Sequence, residues 1–263
     1  MAHLPKSLTI AGSDSGGGAG IQADLKTFAS LGVYGTSAIT AVTSQNTLGV
    51  TDIVDIPSKS VVSQIKAVIS DIGTDSIKTG MLSNTSIVNA VSSFLSQNKF
   101  EKIIVDPVMI SKSGHKLLSE SAIESMINML IPISFIITPN IPEASIISGT
   151  AIDSIESAKI AAKKIVKLGA RTCIVKGGHF DGPPTDVFYD GQKYEIFKSK
   201  RINTKNTHGT GCTFSAAIAA YIAKGEDIIS AISKSKDYIN SAIQENFLIG
   251  KGRGPLNHFY NQI

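Results

Sequence analysis

Asn206-Thr207-His208-Gly209-Thr210-Gly211-Cys212 carries the strongest chemical signal in the chain. Its Gly-x-Gly leads straight into Cys212 to Lys224, which is apolar on nearly all sides through Phe214, Ala216, Ala217, Ile218, Ala219 and Ile222, so a buried helix is expected to start there. Successive backbone N–H groups and the positive end of the helix dipole make such a start an anion-binding nest. Phosphoryl transfer needs donors of this kind, because negative charge spreads over the transferred oxygens. Cys212 sits at the positive helix end, which is expected to favour its thiolate. Two roles stay open for it: taking a proton from a substrate hydroxyl, or holding that hydroxyl in line. An isolated cysteine at a helix start reads first as a packed thiol, and the adjacent nest reverses that order here. Cys173, inside an apolar strand, reads as structural.

No G-x-x-x-x-G-K-[ST] sequence occurs, so any nucleotide phosphates are held without a P-loop. The other candidates follow short apolar runs: Asp106 after Ile103-Ile104-Val105, Asn140 and Glu143 after Ile136-Ile137, and Lys176 after Ile174-Val175. Hard oxygen ligands of this type suit magnesium, which keeps several waters and needs few carboxylates. Each has a plainer reading: Asp106-Pro107 as a turn, Asn140 as a helix cap before Pro142, Glu143 as a first-turn partner of the helix dipole. Gln45 offers a donor and an acceptor to the edge of a heterocycle, and Met81 a soft surface for an aromatic ring, although a turn glutamine and a core methionine are the commoner roles. The five histidines show no metal-ligand spacing, and neither His179 nor His208 has cysteines or carboxylates arranged for zinc.

Gly12 to Gly20 follows a strand and opens a helix, and so much glycine lets a ligand approach the backbone closely. Gly18, Gly20 and Ala23 satisfy G-x-G-x-x-A, a dinucleotide fingerprint. That fingerprint wants an acidic residue about 20 positions on to hold a ribose, and nothing between Asp24 and Asp52 is acidic.

The elements that must position these residues alternate. Short β-branched runs at Leu8 to Ile10, Ser37 to Val42, Ser76 to Lys78, Lys102 to Val105, Phe135 to Ile137 and Cys173 to Lys176 are interleaved with segments of helical period. Those segments are Ile21 to Leu31, Ser60 to Ile72, Ser119 to Leu130 and Ser154 to Leu168. The expectation is an α/β fold with a mostly parallel central sheet, helices on both faces, and ligands gathered at strand C-termini. Thr185 to Lys198 differs: two alternating runs flank Asp190-Gly191, which predicts a small antiparallel edge hairpin. Two closing helices, Cys212 to Lys224 and Asp227 to Phe247, complete the reading.

A chain of 263 residues, 42% hydrophobic and without visible linkers or repeats, reads as one domain, 1–263. A net charge of +4 is too weak to argue for nucleic acid. Two cysteines in unlike settings make a disulfide framework improbable and fit a reducing compartment. The N-terminus shows no secretory pattern and Met126 to Ile137 is too short and too interrupted to span a bilayer, so a cytoplasmic protein without membrane contact is expected.

Taken together, the motifs Ala11 to Asp24, Gln45-Asn46-Thr47, Lys78 to Leu82, Val105 to Met109, Thr138 to Glu143, Val175 to His179 and Asn206 to Cys212 resemble, in order and over almost the whole chain, the hydroxymethylpyrimidine/phosphomethylpyrimidine kinase family. Gly252-Arg253-Gly254-Pro255 with His258-Phe259 resembles its C-terminus. The resemblance implies a ribokinase-like fold, frequently a homodimer. It also implies two phosphorylations by ATP with Mg2+: of the hydroxymethyl group of 4-amino-5-hydroxymethyl-2-methylpyrimidine, and then of its monophosphate. It implies that Gln45 and the Gly12 backbone bind the pyrimidine in a pocket lined by Asp24, Ala19, Val108 and Met81. Lys176, Thr207 and Thr210 fall near ATP, and Asp106, Asn140 and Glu143 near magnesium. Gly209, Gly211 and Cys212 form the anion hole, with Cys212 as base where many ribokinase-like sugar kinases carry aspartate.

The competing readings are a pyridoxal kinase, a nucleotide-dependent oxidoreductase and a non-enzymatic sensor. An amide pairs with both the exocyclic amine and a ring nitrogen of an aminopyrimidine, whereas pyridoxal offers a phenolic oxygen and one ring nitrogen, so Gln45 favours the pyrimidine. The oxidoreductase lacks its ribose acid, and a sensor has no use for a nest, a lysine and clustered acids together.

Overall fold

The computed structural model describes residues 3–109, 118–178, 180, 182–245 and 247–260. His179, one of the two histidines weighed for zinc, lies outside the described residues.

Among the described residues nine strands form one sheet in the order β3-β2-β1-β4-β5-β6-β7-β8-β9. The strands are β1 (Lys6–Asp14), β2 (Tyr34–Gln45), β3 (Val50–Asp55), β4 (Ser76–Thr79), β5 (Ile103–Val105), β6 (Ile136–Ile137), β7 (Cys173–Val175), β8 (Thr185–Tyr189) and β9 (Tyr194–Lys198). From β2 to β7 neighbouring strands run parallel. The central strands β4 to β7 are buried and lack alternation, as expected of strands covered on both faces.

The helices are α1 (Gly20–Ser30), α2 (Ser58–Asp71), α3 (Thr85–Gln97), α4 (Glu120–Ser125), α5 (Ile141–Ser148), α6 (Ile155–Lys167), α7 (Thr210–Ala223) and α8 (Ile228–Gln244). One core packs apolar side chains of α2 to α6 against the sheet, including Ile65, Leu95, Ala122, Ile147 and Ile165. The other, around Phe28, Ile104, Phe188, Phe214 and Ile232, lies beneath α1, α7 and α8. α7 is wedged between the sheet and the outer helices, and ten of its side chains from Thr213 to Ala223 are buried. That burial explains why its sequence is apolar all round.

Both edges are antiparallel. β8 and β9 pair as expected, but the turn spans Asp190 to Lys193, with Asp190 Oδ1 accepting N–H bonds from Gln192 and Lys193. At the far edge β3 pairs antiparallel with β2, a strand absent from the sequence reading. α3 and α5 are also additions. The helix expected over Ser119 to Leu130 becomes α4 followed by a wider π turn over Met126–Leu130, with Pro132 in the short 3-10 turn that ends it.

Candidate active site

The C-terminal ends of β1, β2, β4, β5, β6 and β7 open into a cleft of about 670 Å³, a size suited to small-molecule ligands. The helix after β1 covers one face of the sheet and the helix after β4 the other. The cleft therefore lies at the topological switch, where open α/β sheets bind ligands.

Its floor is the glycine-rich turn after β1. Asp14 ends the strand and accepts N–H bonds from Gly16 (2.8 Å), Gly18 (3.0 Å) and Ala19 (2.8 Å). Burial alone would raise the Asp14 pKa. The bond to His208 and those N–H donors outweigh it and hold the carboxyl below its usual range. Gly20 has a φ of 56°, and a Cβ there would stand 2.3 Å from the Gly12 carbonyl oxygen. Close approach of loop to strand therefore requires glycine, and the loop is bound to its own chain rather than shaped as a dinucleotide fingerprint.

The nest closes over this floor. Gly209, with φ 80°, caps α7, and a Cβ on it would meet the Gly18 carbonyl oxygen at 1.8 Å. The two glycine turns are thus pressed together, and the N-terminus of α7 faces the cleft. Thr210 donates its hydroxyl to the Thr207 carbonyl (2.7 Å), locking the turn.

Cys212 is half-buried at this helix start. Contrary to the expectation from helix position, its thiol is pushed up to about 11, chiefly by burial and further by Asp106 and Asp24. Lys78 and the Gly20 N–H oppose that rise without cancelling it. Desolvation outweighs the helix dipole, so the thiol is neutral.

On the opposite wall Lys176 Nζ donates to Asp106 Oδ1 at 3.1 Å. Asp106 Oδ2 accepts from the Ser215 hydroxyl at 3.2 Å. Burial works against the Lys176 charge, but Asp106 and Glu143 more than restore it, so the ammonium stays protonated. Asn140 and Glu143 form a capping box at the start of α5: Asn140 Oδ1 accepts from the Glu143 N–H and Glu143 Oε2 from the Asn140 N–H. The plainer reading of this pair is therefore real, yet both also line the cleft. Burial, reinforced by Asp106, raises Glu143 to about 7 against the pull of Lys176.

Among the described residues no cluster of three or more His, Cys, Asp or Glu stands ready for a metal. The donor set still fits Mg2+, which takes one or two carboxylates and completes its shell with water and phosphate oxygens. Asp106 and Glu143 supply two carboxylates, while Asn140 has its oxygen engaged in the cap.

Gln45, at the end of β2, lies with its amide nitrogen 3.2 Å from His208 Nε2 and its amide oxygen 3.1 Å from the Thr43 hydroxyl. Gly12, Ala19, Met81 and Val108 line the same cleft, as do Lys176, Thr207, Gly209, Thr210 and Gly211. Asp24 does not. It lies fully buried beneath the floor, accepting two bonds from Lys78 Nζ (2.8 and 3.0 Å) and one from Thr9 (2.6 Å). A carboxylate with no water around it needs a cation, and Lys78 on β4 supplies it. Asp24 in turn keeps Lys78 firmly protonated despite its burial.

Sequence reasoning gave no role to Asp14 or Lys78 and weighed His208 only for zinc. Lys78 had a legible signal, since a lysine inside a strand that packs on both faces demands an acidic partner. His208 had none, because its partners are 163 and 194 residues away.

A glycine-rich helix start in place of a P-loop, facing a cleft at the switch of a doubly wound sheet, is the arrangement of a ribokinase-like phosphotransferase. Residues 14–257 match the family model for phosphomethylpyrimidine kinase, and the chain belongs to that family. A hydroxymethylpyrimidine/phosphomethylpyrimidine kinase of Haemophilus influenzae is 49% identical over 265 residues, 98% of either chain. Among solved structures, a phosphomethylpyrimidine kinase of Clostridium difficile superposes with a TM-score of 0.82 at 44% identity, covering 91% of this chain and 99% of its own. The Staphylococcus aureus pyridoxal kinase in complex with AMP-PCP and pyridoxal gives 0.91 at 37%, covering 100% and 96%. The oxidoreductase reading of the glycine loop is overturned by this membership.

Proposed function

We propose that this phosphotransferase uses ATP to phosphorylate the hydroxymethyl group of 4-amino-5-hydroxymethyl-2-methylpyrimidine and then extends the monophosphate to the diphosphate. The observation that carries the reading is the Gln45 amide opening onto the same cleft as the nest and Lys176. An amide matches the adjacent amine and ring nitrogen of an aminopyrimidine, which sets its hydroxymethyl group toward the nest.

The acceptor oxygen forms its bond to the γ-phosphorus as the bond to the β,γ-bridging oxygen breaks, ADP departs, and the hydroxyl proton passes to an oxygen of the transferred phosphoryl group once transfer is advanced. The Gly211 and Cys212 N–H groups donate to the transferred oxygens, and the Lys176 ammonium, held by Asp106, offsets their charge. The neutral Cys212 thiol holds the acceptor hydroxyl in line, which suits a loose transition state that asks little of a base. Thr207 and Thr210 shape the turn beside the ATP phosphates. Asp106 and Glu143 would hold Mg2+, which supplies charge neutralisation on the phosphates when bound. Gly12, Ala19, Met81 and Val108 enclose the pyrimidine ring.

The reading includes a homodimer in the cytoplasm. The β2–β3 edge leaves the cross-strand partners Val42 and Val54 exposed on one face, apolar surface available for such pairing. A second acceptor, pyridoxal, is favoured by the fold similarity to the Staphylococcus aureus enzyme. The deciding experiment is transfer from Mg-ATP to hydroxymethylpyrimidine, its monophosphate and pyridoxal, compared on kcat/KM. Preference for the two pyrimidines supports the proposal, and preference for pyridoxal replaces it.

A further inference from the structure

His208 stands between the acceptor pocket and the nest. Its backbone N–H is tied to the Gly254 carbonyl at 3.1 Å. Its ring packs against Gly18, where a Cβ would come within 2.5 Å of Cδ2. Its Nε2 lies 3.1 Å from Asp14 Oδ2 and 3.2 Å from the Gln45 amide. We infer that His208 is a positioning residue that fixes which way the Gln45 amide faces, and through it which heterocycle the cleft accepts. The substrate named below rests on the pyrimidine reading; the geometry does not.

Hydrogen counting carries the inference. Asp14 already accepts three backbone N–H bonds, and its carboxyl is held below the usual range, so it brings no hydrogen to His208. The hydrogen between Asp14 Oδ2 and Nε2 therefore belongs to the imidazole. A protonated Nε2 is a donor, and the Gln45 nitrogen at 3.2 Å is a donor too. Two donors repel, whereas turning the amide by 180° places its oxygen beside the single Nε2 hydrogen, which Asp14 Oδ2 and the amide oxygen then share as a three-centre bond.

The far end of the amide demands the same turn independently. Thr43 has one hydroxyl hydrogen, yet its oxygen stands 2.9 Å from the Ser13 carbonyl and 3.1 Å from Gln45 Oε1, both acceptors. With the amide turned, Thr43 donates to Ser13 and accepts from the Gln45 N–H, so each of the two Thr43 contacts has one donor and one acceptor. The amide is then pinned at both ends. It presents its remaining N–H and its remaining oxygen lone pair to the cleft in one fixed order. An adjacent ring nitrogen and exocyclic amine match that order, and a ring without the pair does not.

The first test reads the imidazole alone. Long-range 15N–1H correlation, with His208 assigned through His208→Gln, is expected to show hydrogen on Nε2; hydrogen on Nδ1 only would overturn the inference. This measurement needs no substrate, so it stands even if the acceptor proves to be pyridoxal. The second test compares kcat/KM for hydroxymethylpyrimidine and for pyridoxal. His208→Leu is expected to lower the pyrimidine-to-pyridoxal ratio about tenfold through the acceptor KM, with the ATP KM unchanged. His208→Gln, whose amide nitrogen takes the place of Nε2, restores the ratio. An equal fall for both acceptors, or no rescue by glutamine, would show that His208 only supports the nest. Thr43→Val releases the other end of the amide and guards against a folding defect at 208; an unchanged ratio in a folded Thr43→Val protein also overturns the inference.

Discussion

Cys212→Ser separates the two roles open to the cysteine. The thiol moves from its ordinary 9.0 to about 11. That corresponds to about 3 kcal/mol against the thiolate and a thiolate population on the order of a hundredfold below that of an ordinary thiol. If a neutral Cys212 only orients the acceptor hydroxyl, a serine in its place forfeits part of one hydrogen bond. That is about 1 kcal/mol, or a five- to tenfold fall in kcat/KM. If a thiolate removed the proton, losing it would cost 10²- to 10⁴-fold, as for general bases elsewhere. The wild-type rate would also climb about tenfold per pH unit until the thiol titrates near 11. The assay is kcat/KM for hydroxymethylpyrimidine at saturating Mg-ATP between pH 6 and 10, on wild type and Cys212→Ser. The expected result is a modest loss and no unit slope above pH 8. A folded serine variant more than a hundredfold slower, together with a unit slope in the wild type, would refute the orienting role.

Glu143 has a folded pKa raised from 4.5 to about 7. Its protonated form is favoured by folding, so its contribution to stability is complete below about pH 4.5 and is lost as pH rises through 7. Glu143→Gln, which keeps the capping box, is expected to match wild type at pH 4.5 and to exceed it at pH 8 in urea midpoint; equal midpoints at both would contradict the burial argument. Lys78→Met leaves Asp24 uncompensated beneath the cleft and is expected to cost about 3–5 kcal/mol in urea unfolding, with Asp24→Leu in the same chain returning part of it. Gly209→Ala places a Cβ 1.8 Å from the Gly18 oxygen at a φ of 80°. It is expected to lower kcat/KM at least tenfold while the far-UV spectrum holds, because the nest can no longer seat on the loop. Gln45→Leu should raise the acceptor KM by about tenfold with the ATP KM unchanged, measured in the same transfer assay.

The periodicities of the chain were sufficient for the architecture. Short apolar runs at Ile103-Ile104-Val105 and Cys173-Ile174-Val175 became buried parallel strands, and the apolar stretch from Phe214 became the innermost helix. β3 was not legible, because five of its six residues are exposed, including Asp52 and Asp55, and only pairing with β2 makes it a strand. α5 begins at Ile141-Pro142 and is short, so its cap at Asn140 and Glu143 was legible while the eight-residue helix behind it was not. The sequence also determined which residue types stand at the strand ends, since a strand–turn–helix pattern leaves few places for Asp106, Asn140, Glu143 and Lys176. Tertiary structure decided what those groups are. The family resemblance put Asp24 in the pocket lining, and Lys78 on β4 draws it beneath the floor. Cys212 looks acidic from its helix position and is made a poor acid by the protein packed around it. His208 acquires its function from Asp14 and Gln45, because charge, desolvation and hydrogen-bond polarity are set by neighbours in space that no local pattern records.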